Sequence, residues 1–334
     1  MNSATPTGNA LLEHANQSIA VGSKSFAAAS RLFDEQTRRS AVMLYAWCRH
    51  CDDVIDGQEA GHDAVVVSRA QAEQRLAQLQ AQTRAVYAGE SVSDPAFAAF
   101  AEVVRRHAIP QENALEHLAG FEMDVLERRY ETLDDTLQYC YHVAGVVGLM
   151  MARVMGTAEQ ATLDRACDLG LAFQLTNIAR DIVPDAQVGR CYLPERWLAE
   201  MGIPRDQLAD PQHRPQVAVL GRRLVELAEP YYASAQAGMA ALPWRSAWAV
   251  GTAAAVYRQI GIKVLAAGDQ AWDRRVSTSK PEKIGAALSG LAGALSARFR
   301  HWPARDPALW QRPRQTCAAG PDADPATVRA AEPS

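Results

Sequence analysis

The sequence carries no surplus of positive charge. Lys and Arg number 34 against 38 Asp and Glu, a formal net charge of −4. That balance argues against a nucleic-acid partner, which demands a basic face. Long apolar runs are also missing. Crossing a bilayer takes ~20 continuous apolar residues, and the nearest candidates, residues 143–152 and 247–256, are too short. Residues 1–10 have neither the basic start nor the apolar stretch of a signal peptide, so a cytoplasmic chain is expected. The six cysteines are scattered, and only Cys48 and Cys51 form a C-x-x-C. No second pair and no histidine pair stands at zinc spacing, and no strand precedes the motif as a thioredoxin-like site would require. The thiols read as buried structural residues. A G-x-x-x-x-G-K-[ST] loop, a G-x-G-x-x-G fingerprint and a nucleophile elbow are absent too, which argues against nucleotide hydrolases, dinucleotide enzymes and serine hydrolases.

Helical periodicity is what the sequence does have. Apolar residues recur at three- and four-residue intervals over 38–56, 64–86, 111–129, 134–155, 160–182, 215–241, 246–267 and 281–300. Asp94-Pro95, Ile109-Pro110, Gly156, Gly202-Ile203-Pro204 and Leu242-Pro243 punctuate these blocks. There is no repeat of 30 to 45 residues, so a solenoid has little support. The expectation is one all-α domain over residues 9–313. Residues 1–8 and the Ala/Pro/Asp/Gly-rich tail 318–334 are expected to be disordered.

Two helices place acids on otherwise apolar surroundings. Tyr45, Arg49, Asp52 and Asp56 are spaced four, three and four apart and share one face. Met43, Leu44, Trp47, Cys51, Val54 and Ile55 surround them, which predicts a helix buried on most sides. Gln174, Asn177, Asp181 and Asp185 repeat the pattern among Leu171, Phe173, Leu175, Ile178 and Ile182, with Arg180 alongside. Unpartnered buried carboxylates cost several kcal/mol each, so something positive must lie opposite. Oxygen ligands from two helices suggest hard divalent cations, Mg²⁺ best of all. An EF-hand reading of residues 52–63 fails, because its third position is Val54 and its twelfth is Asp63. Pro184 has no amide to bond the Arg180 carbonyl and is expected to kink or end the second helix. Asp181 is therefore the safer ligand, ahead of Asp185.

Taken together, the motifs resemble the squalene/phytoene synthase family, most closely its bacterial phytoene synthases of carotenoid pathways. The resemblance rests on Ser23-Lys24-Ser25-Phe26, on the run from Tyr45 to Asp56, on Tyr141-His142-Val143-Ala144-Gly145-Val146-Val147-Gly148, and on Gln174 to Asp181. Gly189-Arg190-Cys191-Tyr192-Leu193-Pro194 continues the last of these. It spans about Ser23 to Pro313.

The resemblance implies an all-α isoprenoid-synthase helical barrel around a central cavity, holding prenyl diphosphates through Mg²⁺, with Mn²⁺ as a substitute. Asp52, Asp56, Asn177, Asp181 and Asp185 would be the metal ligands. Ser23, Lys24, Arg49, Arg180, Tyr192 and Arg275 would bind substrate, with Tyr45, Gln174 and Tyr257 lining the cavity. Ala144, Gly145 and Gly148 would let the prenyl chain approach a broken helix. The implied reaction joins two geranylgeranyl diphosphates head to head through prephytoene diphosphate, with no NADPH or ATP consumed. Arg49 would act catalytically, and the proton acceptor is left among Tyr45, Tyr257 and released diphosphate. Squalene or dehydrosqualene synthesis from two farnesyl diphosphates is the alternative, and a non-catalytic assembly factor is the alternative from another class. Greasy substrate and product imply peripheral contact with the inner face of the membrane and with downstream carotenoid enzymes.

Overall fold

A computed structural model describes residues 8–22, 24–57 and 68–314, all helix and connecting loop with no strand among them. The expected disordered ends lie outside the described residues, apart from Gly8, the first residue of the first helix. The helices are α1 (Gly8–Gly22), α2 (Lys24–Ser30), α3 (Glu35–Asp56), α4 (Arg69–Tyr87), α5 (Pro95–His107), α6 (Gln111–Val125), α7 (Leu133–Cys140), α8 (Val146–Val154), α9 (Gln160–Gln187), α10 (Glu195–Met201), α11 (Arg214–Gly238), α12 (Trp244–Ala267) and α13 (Lys280–Ala297).

Local chemistry sets the boundaries. The Asp34 carboxylate accepts from the Thr37 amide at 2.9 Å and opens α3, and Gly57 closes it in the left-handed region at φ 64°. Ser68 and Gln71 form a capping box at the start of α4. Asp94-Pro95, read in the sequence as a break, is the start of α5. Asp94 accepts from the Ala96 and Phe97 amides, and Pro95 sits in the first turn, where no amide is needed. The predicted helix over 111–129 stops at Val125, and Glu127 takes φ 49°. The predicted helix over 134–155 is interrupted by a π-helical turn at Tyr141–Gly145. Pro184 does not end α9. The helix runs through it to Gln187, so only the amide bond to Arg180 is given up.

α9 is the central element, packed against α7, α8, α11, α12 and the π turn. Its contact with the π turn and α8 is backbone on backbone. A Cβ at Gly148 would collide with the Ala166 carbonyl oxygen, and one at Gly170 with the Ala144 carbonyl oxygen. Glycine is required there by distance. Residues of α2, α3, α6, α7, α8, α9, α11, α12 and α13 all face one cavity of about 1170 Å³, so the helices form its wall.

An extended strap, residues 301–314, ties the C-terminal side to α9. Its anchor is Asp168, with no solvent exposure. Arg305 donates to both Asp168 oxygens at 2.8 and 2.6 Å, and the Ser234 hydroxyl donates to one at 2.5 Å. Arg312 donates to Asp164 at 2.7 Å and Gln160 at 2.6 Å. Removing one partner of a buried ion pair strands the other, at a cost of about 3–5 kcal/mol. Arg305→Met should lower stability in urea unfolding by that amount, and Asp168→Asn in the same chain should recover part of it. A loss below about 1 kcal/mol would mean that the strap is not anchored by this pair.

Candidate active site

The cavity has two kinds of wall. One region is charged: Arg49, Asp52 and Asp56 from α3, Asp124 from α6, Asn177 and Arg180 from α9, Arg190 and Tyr192 from the loop after α9, and Arg275 from the loop after α12. Much of the rest is apolar, with Phe26, Val147, Met151, Phe173, Met239 and Val250 among its residues. A pocket for one drug-sized molecule measures roughly 300–1,000 Å³. At about 1170 Å³ this one lies just above that range.

On α3, Arg49 donates to Asp52 at 2.9 Å and pairs with Asp53 at 2.7 Å, while its buried Nε has no partner. The intrahelical salt bridge and the cavity position therefore coexist in one side chain. Asp56 is held by Arg190. On α9, Arg180 binds both oxygens of Asp181, and Arg275 approaches the same carboxylate at 3.5 Å. Asn177 donates to Gln174 at 3.3 Å.

These contacts leave the local charge unbalanced. Burial, then the Asp56 charge, pushes the Asp52 carboxyl up to about 6. Burial, then Asp181, pushes Asp185 up to about 7. The Arg190 guanidinium lowers both, which places one cation within electrostatic reach of the two acidic motifs. Among the described residues no three Asp, Glu, His or Cys side chains converge closely enough to form a ready-made metal cluster.

The sequence-predicted residues are distributed unevenly. Tyr45, Arg49, Asp52, Asp56, Ala144, Gly148, Gln174, Asn177, Arg180, Tyr192, Tyr257 and Arg275 line the cavity. Asp181 and Asp185 are beside it without lining it, and Gly145 packs against Leu171 and Cys167 of α9. Ser23 and the Lys24 side chain lie outside the described residues. Tyr45 stacks on Phe26 at 5.2 Å and Tyr257 on Phe173 at 4.3 Å. Burial pushes the Tyr45 hydroxyl up to about 12 and raises Tyr257 as well, so both are protonated at neutral pH.

Sequence reasoning overlooked Asp124, Tyr139, Lys280 and Lys283, which also line the cavity, and took Arg190 only as part of the segment 189–194 that suits a polyphosphate pocket, without pairing it with Asp56. Tyr139 donates to Asp124 at 3.2 Å and Tyr192 at 3.0 Å, and the two rings stack at 4.5 Å. A signal was present, because His117, Phe121 and Asp124 share a face of α6 and put an acid in an apolar row.

Residues 19–282 match the squalene/phytoene synthase family. The chain belongs to that family. It is 60% identical over 303 residues to a 15-cis-phytoene synthase of Pantoea ananas, covering 91% of this chain and 98% of that one. It is 50% identical over 299 residues to a 15-cis-phytoene synthase of a Paracoccus species, covering 89% and 96%. A dehydrosqualene synthase solved in complex with ligand superposes at a TM-score of 0.78 with 27% identity, covering 86% of this chain and 98% of that one. The isoprenoid-synthase helical fold and prenyltransferase activity follow from this membership.

Asp124 gives a pH test of the site. Burial pushes its carboxyl up to about 7, against the opposing pull of Arg190 and the two tyrosine hydroxyls. An acid whose pKa rises on folding binds more protons folded than unfolded. It therefore costs stability as pH climbs from about 4 to 7, and the full cost remains above that. Asn at this position accepts from one tyrosine through its amide oxygen and can donate its amide N–H to the hydroxyl oxygen of the other. Asp124→Asn should raise the melting temperature of metal-free protein at pH 7.5 and flatten its decline between pH 4.5 and 7. Thermal melts across that range decide it, and an unchanged slope would mean that Asp124 stays ionised.

Proposed function

We propose that this chain condenses two geranylgeranyl diphosphates into 15-cis-phytoene through prephytoene diphosphate, releasing two diphosphates. The observation that carries the reading is the two-part cavity, in which arginines and carboxylates adjoin a large apolar chamber of the kind two prenyl chains require. Identity of 50–60% to proteins named 15-cis-phytoene synthase supports the C20 substrate over the farnesyl alternative. A non-catalytic assembly factor has less support, because both acidic motifs are intact.

The donor set fits Mg²⁺, with Mn²⁺ as a substitute. Asp52, Asp56, Asn177, Asp181 and Asp185 offer oxygen, and burial together with a neighbouring carboxylate raises the Asp52 and Asp185 carboxyls, a penalty that a bound cation would relieve. The bound metal would neutralise charge developing on the leaving diphosphate. Arg49, Arg180 and Arg275 bring cations to the same region and grip the diphosphate oxygens. Two unit charges 4 Å apart interact by about 4 kcal/mol at an effective dielectric of 20, so a few such contacts shift the barrier to ionisation strongly. Phe26, Phe173, Met151 and Val147 then keep water from the allylic cation. A hydrocarbon product of this size leaves by way of the membrane or a downstream carotenoid enzyme.

The direct test supplies purified protein with Mg²⁺ and either C15 or C20 diphosphate, without NADPH. Phytoene from the C20 substrate is expected, and a C30 hydrocarbon made preferentially from C15 would overturn the assignment. Asp52→Ala and Asp181→Ala should each lower turnover about 10²-fold or more with the helical circular dichroism retained, and Asp185→Ala should be no more damaging than Asp181→Ala.

Arg49 yields a finer test. Lys keeps the charge but loses the planar fork that binds two oxygens at once. Arg49→Lys should keep its melting temperature and lose roughly ten- to a hundred-fold in kcat/KM, equivalent to ~1–3 kcal/mol. Unchanged kinetics with a lowered melting temperature would leave Arg49 only its ion pairs with Asp52 and Asp53.

A further inference from the structure

α13 is amphipathic in an inverted sense. Its inward face is made of small residues, Ala286, Gly290, Ala294 and Ala297, all buried. They let it lie directly on α12, where a Cβ at Gly290 would come within 2.5 Å of the Thr252 amide nitrogen. The large apolar side chains point away from the protein. Ile284 is 64% exposed, Leu288 65%, Leu295 52% and, one turn beyond, Phe299 89%. Their offsets of four, seven and four set them on one face. An ordinary surface helix buries its large residues and exposes its polar ones, and a contiguous exposed apolar row marks an interaction surface.

The charge around the row identifies what covers it. The whole chain is net negative, yet residues 280–300 carry Lys280, Lys283, Arg298 and Arg300 against the single acid Glu282. Glu282 is already engaged, by Lys263 at 2.7 Å and by the Ser279 amide at 2.6 Å. Two cations therefore bracket each end of the apolar row. Trp248 donates to the Ala287 carbonyl midway along α13, and Trp244, stacked on it at 5.8 Å, is 47% exposed beside the helix. Apolar residues between basic ends, with tryptophan at the margin, match the headgroup and acyl layers of an anionic bilayer. No helix among the described residues is long and apolar enough to cross a membrane, so the contact would be peripheral.

We propose that the outer face of α13 and the turn that follows it, formed by Ile284, Leu288, Leu295 and Phe299, docks this protein on an anionic lipid bilayer. The position suits the chemistry, because Lys280 and Lys283 at the start of α13 also line the cavity, along with Ser277, Thr278 and Ser279. Docking through α13 brings that part of the cavity wall to the lipid surface, where prenyl chains can enter and hydrocarbon can leave. This last step deepens the proposed C20 condensation and rests on it; the docking itself does not.

Vesicle co-sedimentation without substrate separates the two. Full-length protein should bind phosphatidylglycerol-containing vesicles at low salt and bind pure phosphatidylcholine vesicles more weakly, with the difference reduced at high salt. Leu288→Ser and Phe299→Ser, both outside the cavity wall, should each weaken binding by about tenfold. Melting temperature and turnover of detergent-dispersed substrate should be unchanged. Three results would overturn the proposal. One is absence of vesicle binding at either composition, and another is wild-type binding by both variants. The third is a wild-type dimer that Leu288→Ser dissociates in light scattering, which would assign the face to a second copy of the chain.

Discussion

Burial of carboxylates in one region of a largely apolar cavity, with repulsion among them added, is the constraint around which the site is arranged. Asp52, Asp56, Asp124 and Asp185 come from three different helices and act on one another across the cavity. The protein offsets that repulsion with arginines. Arg190 holds Asp56, Arg180 holds Asp181, and Arg49 spans Asp52 and Asp53. The same guanidinium groups are the ones suited to an anionic substrate. The acids fix the arginines, and under the proposed function a diphosphate with Mg²⁺ would supply partners for both signs at once. The folded protein thus holds its ionic groups in a poised arrangement whose balance is completed by ligand.

How much of this was legible in the sequence depended on whether the signal was periodic. The acidic faces of α3 and α9 stood out because polar residues at three- and four-residue spacing interrupt an apolar field, and the structure puts Asp52, Asp56, Asn177 and Arg180 on the cavity wall. α5 was not read, because Asp94-Pro95 looks the same whether it breaks one helix or starts the next. Only the amides bonded to Asp94 settle the matter. Asp124 and Arg190 depend on tertiary placement. Arg190 sits in a loop and Asp124 near the end of α6, and neither position has a period that points at a partner. The exception at Pro184 has a related cause. One lost amide bond costs little beside the burial of Ile182 and Val183, at 3% and 1% exposure, so packing on α11 and its neighbours carries the helix past the proline.

Small residues serve this chain in two opposite ways. At Gly148 and Gly170 they bring α8, the π turn and α9 into backbone contact on one wall of the chamber. The π turn at Tyr141–Gly145 shifts the helical register there, and Ala144 and Gly148 reach the cavity with almost no side chain to occupy it. A larger residue at Gly148 would collide with the Ala166 carbonyl oxygen of α9.

At Gly290 the same device works on the outer surface. Because α13 rests on α12 through Ala286, Gly290, Ala294 and Ala297, its inward face is fully used without any large side chain. A helix that needed only to cover α12 would gain nothing from Ile284, Leu288, Leu295 and Phe299, whose exposure to water is unfavourable at ~25 cal/mol per Å² of apolar surface. The polar alternative at those positions would cost the fold nothing, since none of them is buried. Four large apolar residues on one exposed face, bracketed by cations in an otherwise acidic protein, are accounted for by what the helix meets outside the fold. An enzyme that binds its substrate by charge at one part of the cavity and by apolar contact in the rest faces the same two phases, water and hydrocarbon, inside its cavity and along α13.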